Sequence, residues 1–250
     1  MIEKPSRGFL RLIARFLVLA LIESSQILAW ARSEPPTVTL QAGVLEGTHF
    51  GSMPNEVAFL GVPYAAPPLG ALRWKPPHPV NKWTGTRRAT QFGPVCPQLP
   101  AAWLPYIAGN EDCLYLNIWT TQLSADAKLP VIVFFHGGGN KQGYSQLIPL
   151  GPTLSRLGVI VVSANYRLGP FGFLAHPALT AESEHHSSGN YGLLDQLQAL
   201  KWVHENISQF GGDPDRITTM GQSAGAVDVC LLMASPLATG LFHRAILESK

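Results

Sequence analysis

Gly221-Gln222-Ser223-Ala224-Gly225 is a G-x-S-x-G run, a spacing of residue types that suits a nucleophile. A serine hydroxyl does covalent chemistry when it stands clear of the backbone beside groups that activate it and stabilise negative charge. Five residues alone are weak evidence, because glycine and serine are common. The flanks say more. Residues 217–220 read as a strand running in, and residues 224–233 as a helix running out. In such a strand–turn–helix the glycines permit a tight turn that holds the hydroxyl out, and the helix amino terminus favours developing negative charge. The bland alternative is an ordinary glycine-rich turn between a strand and a helix. Ser223 is the candidate nucleophile.

A second glycine element counts against that alternative. His136-Gly137-Gly138-Gly139 follows directly on the apolar stretch 131–135. Glycines there let backbone N–H groups approach a substrate with no side chain in the way. Two such groups, with that of Ala224, would hold the oxyanion of a tetrahedral intermediate, at ~3 kcal/mol per donor. A flexible glycine turn does not account for both elements, each placed after a strand and in this order.

These residues need a scaffold, and the pattern along the chain predicts one. Residues 38–40 and 56–62 are short β-like pieces separated by turns. Residues 63–106 are rich in proline, glycine and aromatics and read as ordered loop. Residues 114–119, 131–135 and 159–163 read as strands, the last two almost wholly apolar. Leu193, Leu197, Leu200, Val203 and Ile207 recur at helical steps, giving a helix with one buried face. Gly211-Gly212-Asp213-Pro214 stops it, Pro236 closes the helix after Ser223, and 244–247 opens a further strand. Apolar strands alternating with helices predict an α/β architecture, a mostly parallel sheet with helices on both faces. There is no internal repeat.

With 250 residues, 46% of them hydrophobic and 14% charged, the chain supplies a sizeable core and is not disordered. Residues 1–31 resemble an export signal: a basic stretch ends at Arg15, an apolar run follows, and Ala29-Trp30-Ala31 has a small-x-small cleavage form. Glu23 interrupts the apolar run short of the ~20 residues of a spanning helix, so cleavage is expected over anchoring. The expected product is secreted or periplasmic, with no stable membrane span. The leader holds four of the 18 bases and two of the 16 acids, so the remainder carries no net charge. That excludes a basic nucleic-acid binder. Export also permits disulfides. A bridge between Cys96 and Cys113 would staple a Pro-rich loop and stabilise it by ~3 kcal/mol, while Cys230, in an apolar run, reads as a buried free thiol. No cysteine pair has metal-site spacing, and His185-His186 reads as solvated loop. Neither a metal nor a cofactor is implied.

Further runs carry a resemblance. They include Phe59-Leu60-Gly61-Val62-Pro63-Tyr64-Ala65, Leu72-Arg73-Trp74, Glu111-Asp112-Cys113-Leu114-Tyr115-Leu116-Asn117, Asn165-Tyr166-Arg167, the stretch from Gly189 to Gln196, and Phe210-Gly211-Gly212-Asp213-Pro214. In order and content these resemble the amino-terminal half of the type-B carboxylesterases, the cholinesterase-like branch of the α/β-hydrolases. The resemblance implies a Cys96–Cys113 disulfide, Ser223 as nucleophile, Gly138, Gly139 and Ala224 as oxyanion hole, and a small-molecule carboxylic ester as substrate. Three local departures from the family pattern stand out. Gln222 stands where Glu is usual, Asn140-Lys141 where an apolar or aromatic residue is common, and Asp228 where a small residue is usual. They bear on substrate preference and rate. In this fold the triad acid and histidine follow the serine, yet only Asp228, His243 and Glu248 follow Ser223. The expectation is an esterase of which residues 32–250 are the amino-terminal part, with little activity alone. The alternative is a non-catalytic binding relative.

Overall fold

The structure, a computed structural model, describes residues 34–99, 109–146 and 150–249. The export signal expected at residues 1–31 lies outside these residues. The strands are β1 (Thr37–Leu40), β2 (Gly43–Glu46), β3 (Thr48–His49), β4 (Val57–Pro63), β5 (Thr86–Arg88), β6 (Tyr115–Thr120), β7 (Leu129–Phe135), β8 (Ile160–Ala164), β9 (Gly212–Gln222) and β10 (Arg244–Glu248). The helices are α1 (Leu150–Ser155), α2 (Gly169–Phe173), α3 (Pro177–Glu182), α4 (Tyr191–Asn206) and α5 (Ala224–Ala234).

Seven strands form the main sheet in the order β10-β9-β7-β8-β6-β4-β3, and β1, β2 and β5 form a small separate sheet. The four strands β10, β9, β7 and β8 run parallel, as continuous apolar strands predict. All five residues of β8 are buried, which suits a strand covered on both faces. The amino-terminal strands β6, β4 and β3 add an antiparallel flank, so the sheet as a whole is mixed. The chain leaves β7 toward β8 on one side, and leaves β9 toward β10 on the other. Adjacent parallel strands whose connections depart in opposite directions leave a crevice beyond their carboxyl ends. Phe135 pairs with Gly221 at that edge, so the HGGG loop and the G-x-S-x-G turn leave the sheet side by side.

Helix α4 covers the sheet with Leu197, Leu200 and Val203, and Gly211 in a left-handed turn (φ 86°) ends the short 3-10 turn that follows it. Strand β9 begins at once at Gly212, so the Gly-Gly-Asp-Pro stretch ends the helical segment yet already belongs to the strand. The stretch 63–106 is loop except for β5 and a 3-10 turn at Gly70–Leu72, within the residues described. Three polar residues that pair only with β2 give no periodic signal. Below the sheet, Phe59 meets Phe210 edge-on with centroids 5.1 Å apart.

Buried polar pairs fix the loops. Arg167 donates from Nε and Nη2 to the two Asp195 oxygens, both at 2.7 Å, and its backbone N–H reaches Oδ2 at 3.1 Å. Both residues are essentially inaccessible, at 2% and 0% exposed. Arg73 makes the equivalent two-pronged contact with Glu111, and Cys96 is bonded to Cys113. Cys230 is free and half-buried, more open than its apolar neighbourhood suggests. His185 and His186 are exposed in the loop after α3. Replacing Asp195 with Ala leaves a buried guanidinium with no counter-charge. The expected loss is about 3–5 kcal/mol of unfolding free energy, read from urea denaturation of the folded protein; a loss under about 1 kcal/mol would contradict this account of the pair.

Candidate active site

Ser223 sits between β9 and α5 with φ 53° and ψ −118°, outside every region an ordinary residue prefers. Such a backbone costs on the order of 1–3 kcal/mol and persists only where its surroundings enforce it. Here they do. Its N–H donates to the Glu248 carbonyl of β10 at 2.8 Å, and its own carbonyl accepts from Ala226 and Val227 as α5 begins. The flanking glycines answer to crowding: a side chain at Gly221 would meet the Gly225 carbonyl at 2.2 Å, and one at Gly225 the Phe135 carbonyl at 2.3 Å. The turn thus has the strand–turn–helix form expected of a nucleophile elbow.

The HGGG loop lies against it. A Cβ at Gly137 would come 2.4 Å from Gln222 Oε1, 2.7 Å from the Gln222 carbonyl and 3.0 Å from Ser223 Cβ. Gly138 and Gly139 follow with φ of 110° and 64°. Ala224 is the first residue of α5, and first-turn amides have no acceptor within their own helix. The fold therefore sets Gly137, at the head of the glycine run, against Gln222 and Ser223. Gly138 and Gly139 line a cleft of about 1270 Å³ whose other walls include Leu99, Phe171, Phe173 and Leu174. Lys141 and Asn140 also reach that cleft, so its lining is mainly apolar with a polar edge beside the glycines.

Behind the loop His136 is buried, stacked on the Tyr166 ring at 4.5 Å. Its Nδ1 is 2.8 Å from the Gly137 carbonyl. A carbonyl only accepts, so Nδ1 carries the proton and Nε2, buried without a partner, is bare. Burial lowers this imidazole to about 4, against a smaller opposing pull from the Gly137 carbonyl. The Tyr166 hydroxyl donates to the His136 carbonyl at 2.7 Å and lies 3.1 Å from Asn140 Oδ1. Burial, and then the nearby Asp228, push the Tyr166 phenol well above its ordinary value, so it stays a donor.

The three departures from the family pattern fall together here. Gln222 packs on Gly137. Asp228, 1% exposed, accepts from Asn140 Nδ2 at 2.9 Å and from Gln196 Nε2 at 2.6 Å. Burial raises the Asp228 carboxyl, and the two amide donors pull the other way. The sequence places Asp228 on the helix after Ser223, but its partner Asn140 lies 88 positions away, and nothing in the spacing of either residue links them. Gln196 and Tyr166 stand within longer motif runs, and nothing in the sequence singles either out. His243 is exposed in the connection from α5 to β10, and Glu248 is exposed on β10. Among the described residues no hydrogen bond joins the Ser223 hydroxyl to a histidine.

This sheet, with a serine elbow and a glycine loop at its carboxyl edge, has the α/β-hydrolase fold. The chain belongs to the carboxylesterase family, whose model matches residues 34–250. It is similar to the fumonisin B1 esterase of Sphingopyxis macrogoltabida, at 49% identity over 84% of this chain and 38% of that protein. Against the liver carboxylesterase of Sus scrofa the figures are 40%, 93% and 43%. Among solved structures, a carboxylesterase of Geobacillus stearothermophilus superposes with a TM-score of 0.74 at 42% identity, over 84% of this chain and 43% of that one. The chain spans about two-fifths of the length of the curated relatives it matches.

Two outcomes follow from this geometry. Gly137→Ala drives a methyl group into the Gln222 backbone, and overpacking of this kind costs about 1–3 kcal/mol; urea unfolding measures it, and an unchanged midpoint would mean the loops do not touch. Between pH 6.5 and about 4, unfolded His136 binds a proton that the folded protein refuses. Its contribution to stability is thus present above pH 6.5 and falls as the pH drops, by up to ~1.4 kcal/mol per unit. Imidazole NMR titration is expected to give a His136 midpoint near 4, and a midpoint near 6.5 would refute its burial.

Proposed function

We propose that the protein carrying this chain hydrolyses carboxylic esters through an acyl intermediate on Ser223. The observation that supports this most is the contact of Gly137 with Gln222 and Ser223, which sets the HGGG loop beside the serine elbow. Ser223 Oγ attacks the ester carbonyl, and the amides of Gly138, Gly139 and Ala224 receive the oxyanion. The tetrahedral intermediate collapses, the C–O bond breaks, and the alcohol leaves with the proton the serine gave up. Water then attacks the acyl-serine by the same route and releases the acid.

The proton needs a carrier. His243 is exposed behind α5, and Asp228 is occupied by Asn140 and Gln196. In this reading a histidine and its orienting acid come from polypeptide outside these 250 residues. Val227, Leu231 and Met233 on α5 and Ile246 and Leu247 on β10 are large apolar side chains left exposed, which supports a covering segment there. The apolar walls formed by Leu99, Phe171, Phe173 and Leu174 favour an ester with an apolar group on the oxyanion side. The sequence of residues 1–31 and the Cys96–Cys113 disulfide support export to an oxidising compartment.

Hydrolysis of a nitrophenyl ester and labelling by a fluorophosphonate, both on the full-length protein, test the reading. Ser223→Ala is expected to abolish labelling and to lower turnover by about a thousandfold or more. Turnover that survives this substitution would end the serine mechanism. Full-length protein that neither turns over nor labels would favour a non-catalytic binding relative. Residues 32–250 alone are expected to retain only the residual rate that an oxyanion hole provides.

A further inference from the structure

Asn140 follows directly on Gly138 and Gly139 and has a left-handed backbone (φ 56°), so it is the hinge by which the glycine loop turns back. Both ends of its side chain are engaged: Nδ2 donates to Asp228 Oδ1 at 2.9 Å, and Oδ1 lies 3.1 Å from the Tyr166 hydroxyl. Its carbonyl accepts from the Gly169 N–H at 2.7 Å, at the start of α2. Asp228 lies one turn into α5, the helix that Ala224 opens, and its second oxygen accepts from Gln196 of α4. We infer that Asp228 and Asn140 are a positioning pair that locks the glycine loop to the nucleophile helix, setting Gly138 and Gly139 against Ala224 as one rigid oxyanion hole. This rests on the reading of Ser223 and those three amides given above.

The chemistry at Asp228 argues for a built contact. A buried carboxylate with no cation beside it is costly unless donors surround it. This one has two amide N–H donors directed at its two oxygens. Neither an apolar residue at position 140 nor a small one at 228 could form this link, so each side chain needs the other. The link joins two separate backbone segments that must present amides to the same atom. Displacement of about 1 Å in such an arrangement can cost a hundredfold in rate while leaving ground-state binding nearly untouched. Neither residue touches the reacting atoms, so both are positioning residues rather than catalytic ones.

The test uses the full-length protein, a nitrophenyl ester for kcat and KM, and Ser223→Ala as control. Asn140→Gly removes the side chain without backbone strain, because glycine accepts positive φ. Asp228→Ala removes the other half. Each is expected to lower kcat by about tenfold or more with KM within about twofold. The double variant is expected to be no slower than the slower single, since one contact is lost in every case. Asp228→Asn is the rescue. Its oxygen still accepts from Asn140, and its amide donates to Gln196 Oε1, which is buried without a partner in the native protein and becomes reachable when that amide turns over. Wild-type kcat in Asn140→Gly, or losses that multiply in the double variant, would overturn the inference. So would Asp228→Asn as slow as Asp228→Ala. If Asp228→Ala does not fold, the comparison rests on Asn140→Gly, where a further Asp228→Asn change should then cost nothing more. Hydrolysis that survives Ser223→Ala would instead overturn the serine reading, and the positioning role with it; Ser223-dependent hydrolysis at full rate without the pair would overturn the positioning role alone.

Discussion

Phe135 and Gly221 sit opposite one another in the β7–β9 ladder, and that register governs what can be built above it. The two chains leave the sheet one strand spacing apart, so their loops either clash or share a surface. Glycine at 137, 221 and 225 lets backbone lie on backbone where a side chain would come within 2.2–2.7 Å of a backbone oxygen. The strained turn at Ser223 follows from the same crowding. It is held from below by β9, from one side by the Glu248 carbonyl and from above by α5. Strain on the order of 1–3 kcal/mol is tolerable when three elements enforce it.

A backbone approach this close needs loops that do not drift, and the chain secures them with buried polar groups rather than with apolar packing alone. Asn117 accepts from the Gly61 N–H at 3.0 Å and donates to Ser145 at 2.9 Å and Ser163 at 3.2 Å. Asn165 accepts from the Ser145 N–H and donates to the Pro94 carbonyl. Gln98 both donates to and accepts from the Gly143 backbone. Each amide satisfies main-chain groups that a loop in the interior would otherwise leave without partners. The disulfide and the Arg167–Asp195 pair act on the same segments. Apolar side chains would fill these spaces as well, but they would not specify which way each loop runs.

The strands and the two long helices were legible because their signals are local and strong. Apolar runs gave β7 and β8, leucine spacing gave α4, and glycine context gave the elbow. Short elements were not. Strand β5 is three polar residues, and α1, α2 and α3 are five or six residues each, too short for periodicity to register. The site divides along the same line. Ser223, Gly138, Gly139 and Ala224 could be put forward as candidates because glycine and serine types at fixed offsets carry their own reason. The partners of Asp228 could not, since a hydrogen bond between positions 88 apart leaves no trace in the spacing of either.

Asn140 and Asp228 show why a sequence departure is best judged in pairs. Taken singly, one adds polarity to a cleft and the other buries an acid in a helix. Placed together, each removes the other's defect, because the acid gains a donor and the asparagine gains a reason for its left-handed backbone. A negative charge on the helix that opens with Ala224 would oppose the charge an oxyanion hole must hold. The pair cannot therefore help through its field, and its benefit must be geometric. Burial raises the proton affinity of Asp228, and the two amide donors, one at each oxygen, oppose that rise.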